Sequence, residues 1–484
     1  MKRFAIYLIF ILFIVSNLSN SCRKPVDENA RLVFSSSTVS FDTVFTTLGS
    51  MTKRFTVKNG HNFPMKVDIH LASGSTSYYS INVDGRAGID FKGIEIAPKD
   101  SIFVFVKVTI NPGQVNTPFL VTDSIIFRSG RVEQDVDLVA YGQDAHFIVA
   151  DSQGIVPFKR VAGAHQTMHF TSDKPWVVYG FAAIDSLGTL IIDEGAKIYF
   201  HKNSGLWVYR FGRLQVNGTA ANPVLFRGDR LNDPTMDKKA GQWSRIWIME
   251  SSQNSEINHA IIANAEVGID IQSLEQRESG KVFIRNCLIK QSYFQGIQIR
   301  NAEVYIENSI IANSELQNTM SVQIGDVTAN HVTIGNYVNT KGAAALLLQN
   351  YYIEPSVKDG ALLYTQYEGD ANINFNNSII YGSASTQLTK SAGEGTVSPL
   401  NYRFENCLLR SELTGDANLV NCIFNKDPLF TDIDEWNFLL RQGSPAINFG
   451  KAGLGISTDY AGNPRDASPD AGAYEFGGVA GKLR

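Results

Sequence analysis

A short motif recurs through the second half of the chain and limits what it can fold into. An apolar residue is followed two positions later by Asn or His, then by a small and two apolar residues, as in Phe283–Ile289, FIRNCLI. The Asn or His position is occupied by His259, Asn286, Asn308, His331, Asn377, Asn406 and Asn421. The spacing is mostly about 23 residues, and recurrence at such a period indicates a stacked repeat. The 46-residue interval after His331 predicts one hidden unit around Ala345–Ile353.

Short apolar strands joined by bends at this period predict an all-β fold, a right-handed parallel β-helix of roughly ten coils. No single coil can bury its apolar face, so neighbouring coils must stack. Asn suits the bends because it tolerates the left-handed backbone region better than other residues with a Cβ. Its amide can also hydrogen-bond to the Asn of the next coil, as in stacked cross-β structures. The motif therefore predicts architecture and not chemistry.

The composition fits a globular protein of several domains. The chain has 484 residues, 44% of them apolar, which is enough to build extended cores. Its 43 basic and 47 acidic residues give a net charge of -4. Without a strongly basic stretch to follow a phosphate backbone, no nucleic-acid partner is expected.

The C-terminal part carries a family resemblance. The stretch Gly443–Gly450, GSPAINFG, and the following Ser457–Phe476 resemble the ending of bacterial surface proteins with right-handed β-helix repeats, in the pectin-lyase-like superfamily. Asn448 stands where that pattern has Asp, and Ala471 where it has Ile. The resemblance implies the fold and leaves the activity open, because the superfamily includes lyases, hydrolases, adhesins and structural rods.

The N-terminus resembles a bacterial lipoprotein signal. Lys2 and Arg3 precede the apolar run Phe4–Val15, which is too short to span a bilayer and fits a secretory signal. Cleavage before Cys22 would expose that residue for lipidation, and several acyl chains anchor a protein durably. We therefore expect a lipid anchor in the outer membrane of a Gram-negative cell, with exposure at the cell surface left open.

The remaining pattern divides the chain into segments. Short alternating strands between turn residues, such as Met65–Ala72 and Ser101–Ile110, predict an N-terminal antiparallel β-sandwich. In Phe55–Asn59 and the closing LVAYGQDA it resembles the immunoglobulin-like modules of envelope proteins, which implies an immunoglobulin-like β-sandwich. The predicted segments are a signal peptide at 1–21, a tether at 22–30, the sandwich at 31–143, a connecting segment and β-helix entry at 144–186, the β-helix at 187–430 and a C-terminal cap at 431–484.

Two features of the β-helix region are candidates for ligand binding. Trp207, Tyr209 and Trp243 lie in neighbouring predicted coils, where aromatic rings would either stack on sugars or support the structure. The polar loop Gly228–Gln242 contains Asp229, Arg230 and Asp233, which could form a cation or sugar site, since functional residues often lie on such loops.

Three functions remain open. The sequence favours a non-catalytic scaffold that binds a polysaccharide or another envelope protein, with a polysaccharide lyase or hydrolase of the same fold and a purely structural rod as alternatives. Lys290 and Arg300 are candidate bases for a lyase, and Ca²⁺ would enter only with acidic ligands that the sequence does not show at one repeated position. No cofactor is indicated. Cys407 and Cys422 either form a disulfide or fill a slot for small residues.

Overall fold

A computed structural model of the chain describes residues 29–45, 50, 52–110, 119–152, 154–231, 234–250, 254–273, 281–339, 341–358 and 361–479. Cys22 and Asp233 lie outside these described residues, as do residues 1–21. Strands make up 54% and helices 2% of the described residues. No helix in the described part is long and apolar enough to cross a membrane. The chain divides into two compact units, Met1–Asp144 and Ala145–Arg484.

The first unit consists of two five-stranded sheets. Its strands are β1 (Val33–Phe34), β2 (Thr38–Phe45), β3 (Lys53–Lys58), β4 (Met65–Leu71), β5 (Tyr79–Val83), β6 (Arg86–Gly88), β7 (Asp90–Ile96), β8 (Ser101–Val108), β9 (Phe119–Ser129) and β10 (Val132–Gln143), with a 3₁₀ turn at Gly74–Thr76. One sheet has the order β1-β3-β8-β5-β6 and the other β2-β10-β9-β4-β7. All pairs are antiparallel except β2 with β10. Alternate residues of β4 and β8 are buried, and both sheets contribute to one hydrophobic cluster.

The second unit contains the remaining strands. The first half holds β11 (His146–Val149), β12 (Phe158–Ala162), β13 (Thr167–Phe170), β14 (Trp176–Tyr179), β15 (Phe181–Ile184), β16 (Thr189–Ile192), β17 (Lys197–Phe200), β18 (Gly205–Val208), β19 (Arg213–Asn217), β20 (Val224–Gly228), a 3₁₀ turn at Pro234–Lys238, β21 (Trp243–Ile248), β22 (Ser255–Asn258), β23 (Ala260–Ala263), β24 (Ala265–Gln272), β25 (Val282–Arg285) and β26 (Leu288–Ser292). The second half holds β27 (Gln295–Glu307), β28 (Ile310–Ser314), β29 (Met320–Asn330), β30 (Thr333–Asn336), β31 (Leu346–Gln349), β32 (Tyr351–Lys358), β33 (Ala361–Glu368), β34 (Ala371–Asn376), β35 (Ile379–Gly382), β36 (Leu388–Ser391), β37 (Leu400–Glu405), β38 (Leu408–Leu409), β39 (Leu419–Val420), β40 (Ile423–Phe424), β41 (Phe430–Asp432) and β42 (Asn437–Leu440).

These strands build large parallel sheets that are compatible with a β-helix-like fold. Three parallel ladders run through the unit. The first ladder is β12-β15-β18-β21-β24-β27-β29-β31-β36, and the second is β13-β16-β19-β22-β25-β27-β29-β34-β37-β39; they share the long strands β27 and β29 and form one 17-stranded sheet. The third ladder is the separate 11-stranded sheet from β11 to β40. The chain visits the ladders in turn, and its inward side chains form one continuous apolar cluster.

The structure confirms the predicted role of the motif at the bends. All seven motif residues have a positive φ, between 44° and 54°. Each bend lies between the second and third ladders, and the main-chain N–H of Asn286 donates to the carbonyl of Glu307 in the next turn (3.1 Å). The side-chain ladder is partial: Asn308 donates to Asn286 (3.3 Å), and Asn377 to Nε2 of His331 (3.0 Å).

The hidden unit predicted between His331 and Asn377 is wrong. β30 pairs directly with β35, and β29 pairs directly with β34, so the two motif residues belong to successive turns of the stack. This turn has its ordinary first-ladder strand, β31, and the extra residues belong to the antiparallel hairpin formed by β32 and β33. An insertion, and not a second turn, therefore doubles the interval.

The parallel strands begin earlier than residue 187. β11 starts at His146 and pairs with β14, so the segment 144–186 already contributes strands to all three ladders. At the other end of the stack, Lys390 and Tyr402 are the register partners of the buried residues Leu348 and Ile373. Both side chains contact Asp416, which gives the apolar core a polar end.

Residues after β40 cover the outer face of the third ladder. Phe438, Tyr460 and Tyr474 share a hydrophobic cluster with Leu288, Ile310, Ile379 and Leu408 of the ladder strands. Motif side chains bind this C-terminal segment directly, because Asn308 donates to the carbonyl of Thr458 (2.7 Å) and Asn406 to that of Phe449 (2.9 Å).

Candidate functional site

The predicted aromatic residues fall into two environments. Trp207 and Tyr209 lie near the outer face of the first ladder, with Tyr209 37% exposed and the two rings 5.4 Å apart. Trp243 is completely buried, stacks on Phe200 at 4.4 Å and donates to the carbonyl of Ala263 (2.8 Å). The prediction that Trp243 contacts a ligand does not fit this position, because its ring and its N–H are both occupied within the core.

The polar loop is separate from these aromatic residues. Asp229 accepts a hydrogen bond from Nδ1 of His201 (2.8 Å), and its side chain is only 16% exposed. Arg230 is exposed, and Asp233 lies outside the described residues. No hydrogen bond, ion pair or ring contact joins Asp229 or Arg230 to Trp207 in the described part of the chain. The loop and the aromatic pair therefore do not form one described site.

Trp247 extends the aromatic surface of the first ladder. It is the register partner of Trp207 on the next strand, and the two indole rings stack at 5.2 Å with an interplanar angle of 8°. The facing rings cover each other, so their edges and not their inner faces reach solvent. The Nε1 atom of Trp247 is buried and has no partner among the described residues.

A charged cluster follows the aromatic stack along the same face. Asp270, the register partner of Trp247, is fully buried. Its two carboxylate oxygens are held by Arg245 Nη1 (2.7 Å) and Arg300 Nη2 (3.2 Å). The side chains of Arg245 and Arg300 remain 31% and 18% exposed. Burial of a carboxylate is tolerated because two hydrogen-bonded cations compensate its charge. We call Arg245, Asp270 and Arg300 the arginine strip.

The arginine strip is bounded on one side by the hairpin of β32 and β33. Arg300 also donates to Gln272, and its Nη1 lies 3.6 Å from Glu354 of β32. Beyond it, Gln298 donates to Gln323 (3.3 Å), which donates to Gln349 (2.8 Å), so amides continue along the ladder. The face therefore presents guanidinium and amide donors beside aromatic edges.

The buried carboxylate and the candidate bases are all engaged in contacts within the protein. A general acid must carry a proton close to the leaving oxygen, whereas Asp270 is buried and bound by two guanidinium groups. Of the two candidate bases, Arg300 is bound to Asp270. Lys290 is buried against the ring of Trp436, 3.7 Å from its centroid, on the third ladder. The two candidates therefore do not share a face.

The three described cysteines are free thiols. Burial raises the pKa of Cys287 to about 12 and raises that of Cys407 as well. Since the thiolate is the reactive form, neither residue is set up as a nucleophile. Cys407 and Cys422 lie in adjacent turns, where the residues after them pair, Leu408 with Ile423.

Arg300 was expected only as a candidate base, and its contact with Asp270 was not predicted from the sequence. These two residues and Arg245 are separated by 25 and 30 positions, and they meet only through the register of β21, β24 and β27. The signal available in the sequence was the strand pairing implied by the period, but the intervals of 25 and 30 residues differ from each other and from the period of about 23.

Comparison with known proteins leaves the family open. No protein-family model and no curated protein matches the chain. Solved structures that resemble part of it include the Escherichia coli chaperone DraB (11% identity, 23% of this chain and 56% of that chain, TM-score 0.17). They also include a PapD-like domain of human CEP192 (10%, 25% and 90%, 0.17). A family 123 glycoside hydrolase from Clostridium perfringens is similar at the same level (10%, 29% and 30%, 0.18). These TM-scores are too low to carry an argument about fold or activity, and the match spans about half of DraB.

Proposed function

We propose that the protein is a lipid-anchored envelope protein whose second unit binds glycans or another surface without cleaving them. In this proposal the second unit is a right-handed parallel β-helix and the first unit an immunoglobulin-like sandwich that acts as a spacer. The anchor is Cys22, and the location is the outer membrane. The observation that carries the proposal is the arginine strip beside the stacked Trp207 and Trp247.

The chemistry of the strip favours an anionic or hydroxyl-rich polymer. Guanidinium groups recognise carboxylates and sulfates through paired, planar N–H donors. The arginine strip carries one net positive charge, because Arg245 and Arg300 share the single buried carboxylate of Asp270. A second carboxylate, that of Glu354, lies at the edge of the strip, 3.6 Å from Arg300. The partly exposed amide and aromatic edges on either side lengthen the surface along the ladder.

The test is retention on an array of acidic and neutral polysaccharides, with product analysis in parallel. Wild-type protein is expected to retain acidic polysaccharides without releasing unsaturated products or new reducing ends. Arg245→Gln is expected to weaken retention about tenfold, since a hydrogen bond to a charged group contributes about 1.5–3 kcal/mol. Arg403→Gln, on the exposed surface of β37, is the matched control and should retain wild-type binding.

Three outcomes would contradict parts of the proposal. Cleavage products would favour the lyase or hydrolase alternative. Absence of retention, together with capture of envelope proteins, would favour a structural rod. Membrane association that is unchanged in Cys22→Ala would contradict the lipid anchor.

A further inference from the structure

The hairpin of β32 and β33 has an outer edge with which no described strand pairs. The two strands form a sheet of their own, and β32 is the strand that contacts the first ladder, because Glu354 lies 3.6 Å from Arg300. β33 is the outer strand. Four of its side chains are between 43% and 69% exposed, namely Leu362, Leu363, Tyr364 and Tyr367. An isolated two-stranded hairpin is only marginally stable, so this one would gain from further strands.

The hydrogen-bond pattern of the hairpin decides which main-chain groups of β33 face outward. The N–H of Gly369 donates to the carbonyl of Asn350 (3.1 Å), one pair beyond the two strands. Hydrogen-bonded and non-hydrogen-bonded pairs alternate in antiparallel sheets, so Tyr364 and Pro355 form a non-hydrogen-bonded pair. The uncharged residues of β33 whose N–H and C=O groups point away from β32 by this rule are Leu362, Tyr364 and Gln366. No described residue hydrogen-bonds to these main-chain groups.

The two edges of the hairpin differ in their protection. Proteins prevent unwanted pairing at exposed edge strands with proline, charged residues or bulges. β32 has Pro355 at the centre of its outward edge, where it provides no N–H. The stretch Ala361–Tyr367 of β33, ALLYTQY, contains neither proline nor a charged residue, and its pairing with β32 has no bulge. The edge of β33 can therefore accept a further antiparallel strand.

The strand that fits this edge is β33 of a second copy of the chain. Two copies related by a two-fold axis present the same strand to each other in antiparallel orientation, as an isologous contact requires. With the axis at Tyr364, the most exposed of the four side chains, Leu362 lies opposite Gln366 of the second copy. About six inter-chain main-chain hydrogen bonds then form. Glu368 stays outside the paired stretch, so no like charges meet.

We propose that the protein forms a two-fold dimer through the outer edge of β33. The two hairpins become one sheet of four strands, in the order β32-β33-β33-β32. Ile353, Leu362 and Tyr364 lie on the same face of the hairpin, because side chains alternate along each strand. The dimer joins the two apolar patches into one face. This interaction surface is independent of the glycan binding proposed for the arginine strip.

The test is sedimentation equilibrium of the full chain in a density-matched detergent. Wild-type protein is expected to show a reversible monomer–dimer equilibrium. Tyr364→Lys and Tyr364→Glu are each expected to weaken self-association at least tenfold, because two like charges then lie opposite each other at the axis. An equimolar mixture of the two variants should recover dimers, since the charges at the axis are then opposite.

The matched control is Ile155→Lys, which adds the same charge at another exposed position of the second unit and should dimerise as wild type does. All variants should keep the circular dichroism spectrum of the wild type. Unchanged association in both Tyr364 variants, or no association in their mixture, overturns the proposal. A monomeric wild type also overturns it, and weaker vesicle binding by Tyr364→Lys than by that wild type would then assign the hairpin to a lipid surface. Tyr364→Lys should still retain acidic polysaccharides, so failure of the glycan proposal would be seen separately.

Discussion

At the scale of single residues, the motif Asn and His side chains serve two structural purposes. Their left-handed backbone makes the bend, and that conformation follows from the residue type. Their side chains were expected to form one continuous ladder, yet Asn308, Asn377 and Asn406 also donate to carbonyls of the C-terminal segment. The bends were predictable because the cause is local. The second set of partners was not, because it lies up to 150 residues away and no sequence period relates it to the motif.

Asn377 allows these two contributions to be separated. Its Oδ1 accepts from Lys451 N, and its Nδ2 donates to Lys451 O, both at 2.8 Å, in a fully buried position. Asn377→Gly keeps the bend and loses the bonds, so we expect the free energy of unfolding to fall by about 2–3 kcal/mol. Asn377→Ala also has the left-handed penalty and should lose about 1–2 kcal/mol more. Urea denaturation measures both values.

Asn421 is the matched control for Asn377. It has the same bend conformation, with φ of 48°, but it is exposed and forms no side-chain hydrogen bond with a described residue. Asn421→Gly should therefore be nearly neutral, and Asn421→Ala should show only the backbone penalty. Equal effects of Gly at both positions would contradict the role assigned to the Asn377 side chain.

His331 gives the protein a specific pH dependence. Burial, with a smaller contribution from Arg465, lowers the pKa of His331 from 6.5 to about 3. Between these values the unfolded chain binds a proton that the folded chain does not, so the free energy of unfolding falls as pH falls from 6.5 towards 3. The slope from this residue is about 1.4 kcal/mol per pH unit.

His331→Asn places the more common motif residue at the same bend and removes this titration. We expect urea denaturation between pH 7 and pH 4 to show a shallower loss of stability in the variant than in the wild type. Burial also raises the pKa of Asp470 and Glu475, but both carboxyls are present in both proteins and their contribution cancels in the difference. Parallel pH profiles would contradict the assignment.

At the scale of elements, the hairpin of β32 and β33 shows where period alone misleads. Its length happens to restore a multiple of the repeat, so counting residues suggested a second turn. The residues of the hairpin do form strands, but β32 and β33 pair with each other and not with a ladder. Ile353, Leu362, Leu363, Tyr364 and Tyr367 remain at least 43% exposed, which no buried turn of the stack would allow.

Because the hairpin is an insertion, its removal should leave the ladders intact. Gly369 N donates to Asn350 O (3.1 Å), so a two-glycine link between these residues can replace 351–368. We expect the free energy of unfolding to change by no more than about 2 kcal/mol, since long surface insertions contribute little. Binding of a hydrophobic dye should decrease with the loss of the exposed apolar side chains.

A longer deletion is the control for this experiment. Extending the cut to include Leu346–Gln349 removes β31, which pairs with β29 and β36 in the first ladder. That protein should fail to unfold cooperatively in a circular dichroism melt. If the shorter deletion fails in the same way, the hairpin is part of the stack and the insertion model is wrong.

At the scale of the whole molecule, the second unit depends on its own C-terminus. The ladder strands were predictable from spacing and from the alternation of apolar and polar residues, because that alternation shows which side chains of a strand point inward. The position of the C-terminal segment was not, because its irregular turns carry no period. Buried Arg465 illustrates this, since it donates to Glu475 (2.9 Å) and also to Asn308 (2.9 Å), which lies 157 residues earlier in the chain.

A chain ending at residue 442 should therefore lose far more stability than its length suggests. It would expose Leu288, Ile310, Ile379 and Leu408 on the third ladder. We expect a decrease in the free energy of unfolding of about 5 kcal/mol or more, beyond a typical single core truncation, with aggregation and dye binding. A chain ending at residue 479 retains every described contact and is the control. A cooperative, monomeric 1–442 protein would contradict this prediction.

The same covering segment determines when the molecule can finish folding. A chain that is made from the N-terminus onward can assemble its ladders in order, since each strand pairs with the strand of the preceding turn in its own ladder. The apolar outer face of the third ladder stays exposed until the C-terminal segment has been made, because Thr458 and Phe449 must reach Asn308 and Asn406. Completion of the fold thus waits for this segment, and a chain that stops before it carries an exposed apolar surface that proteases and chaperones can recognise.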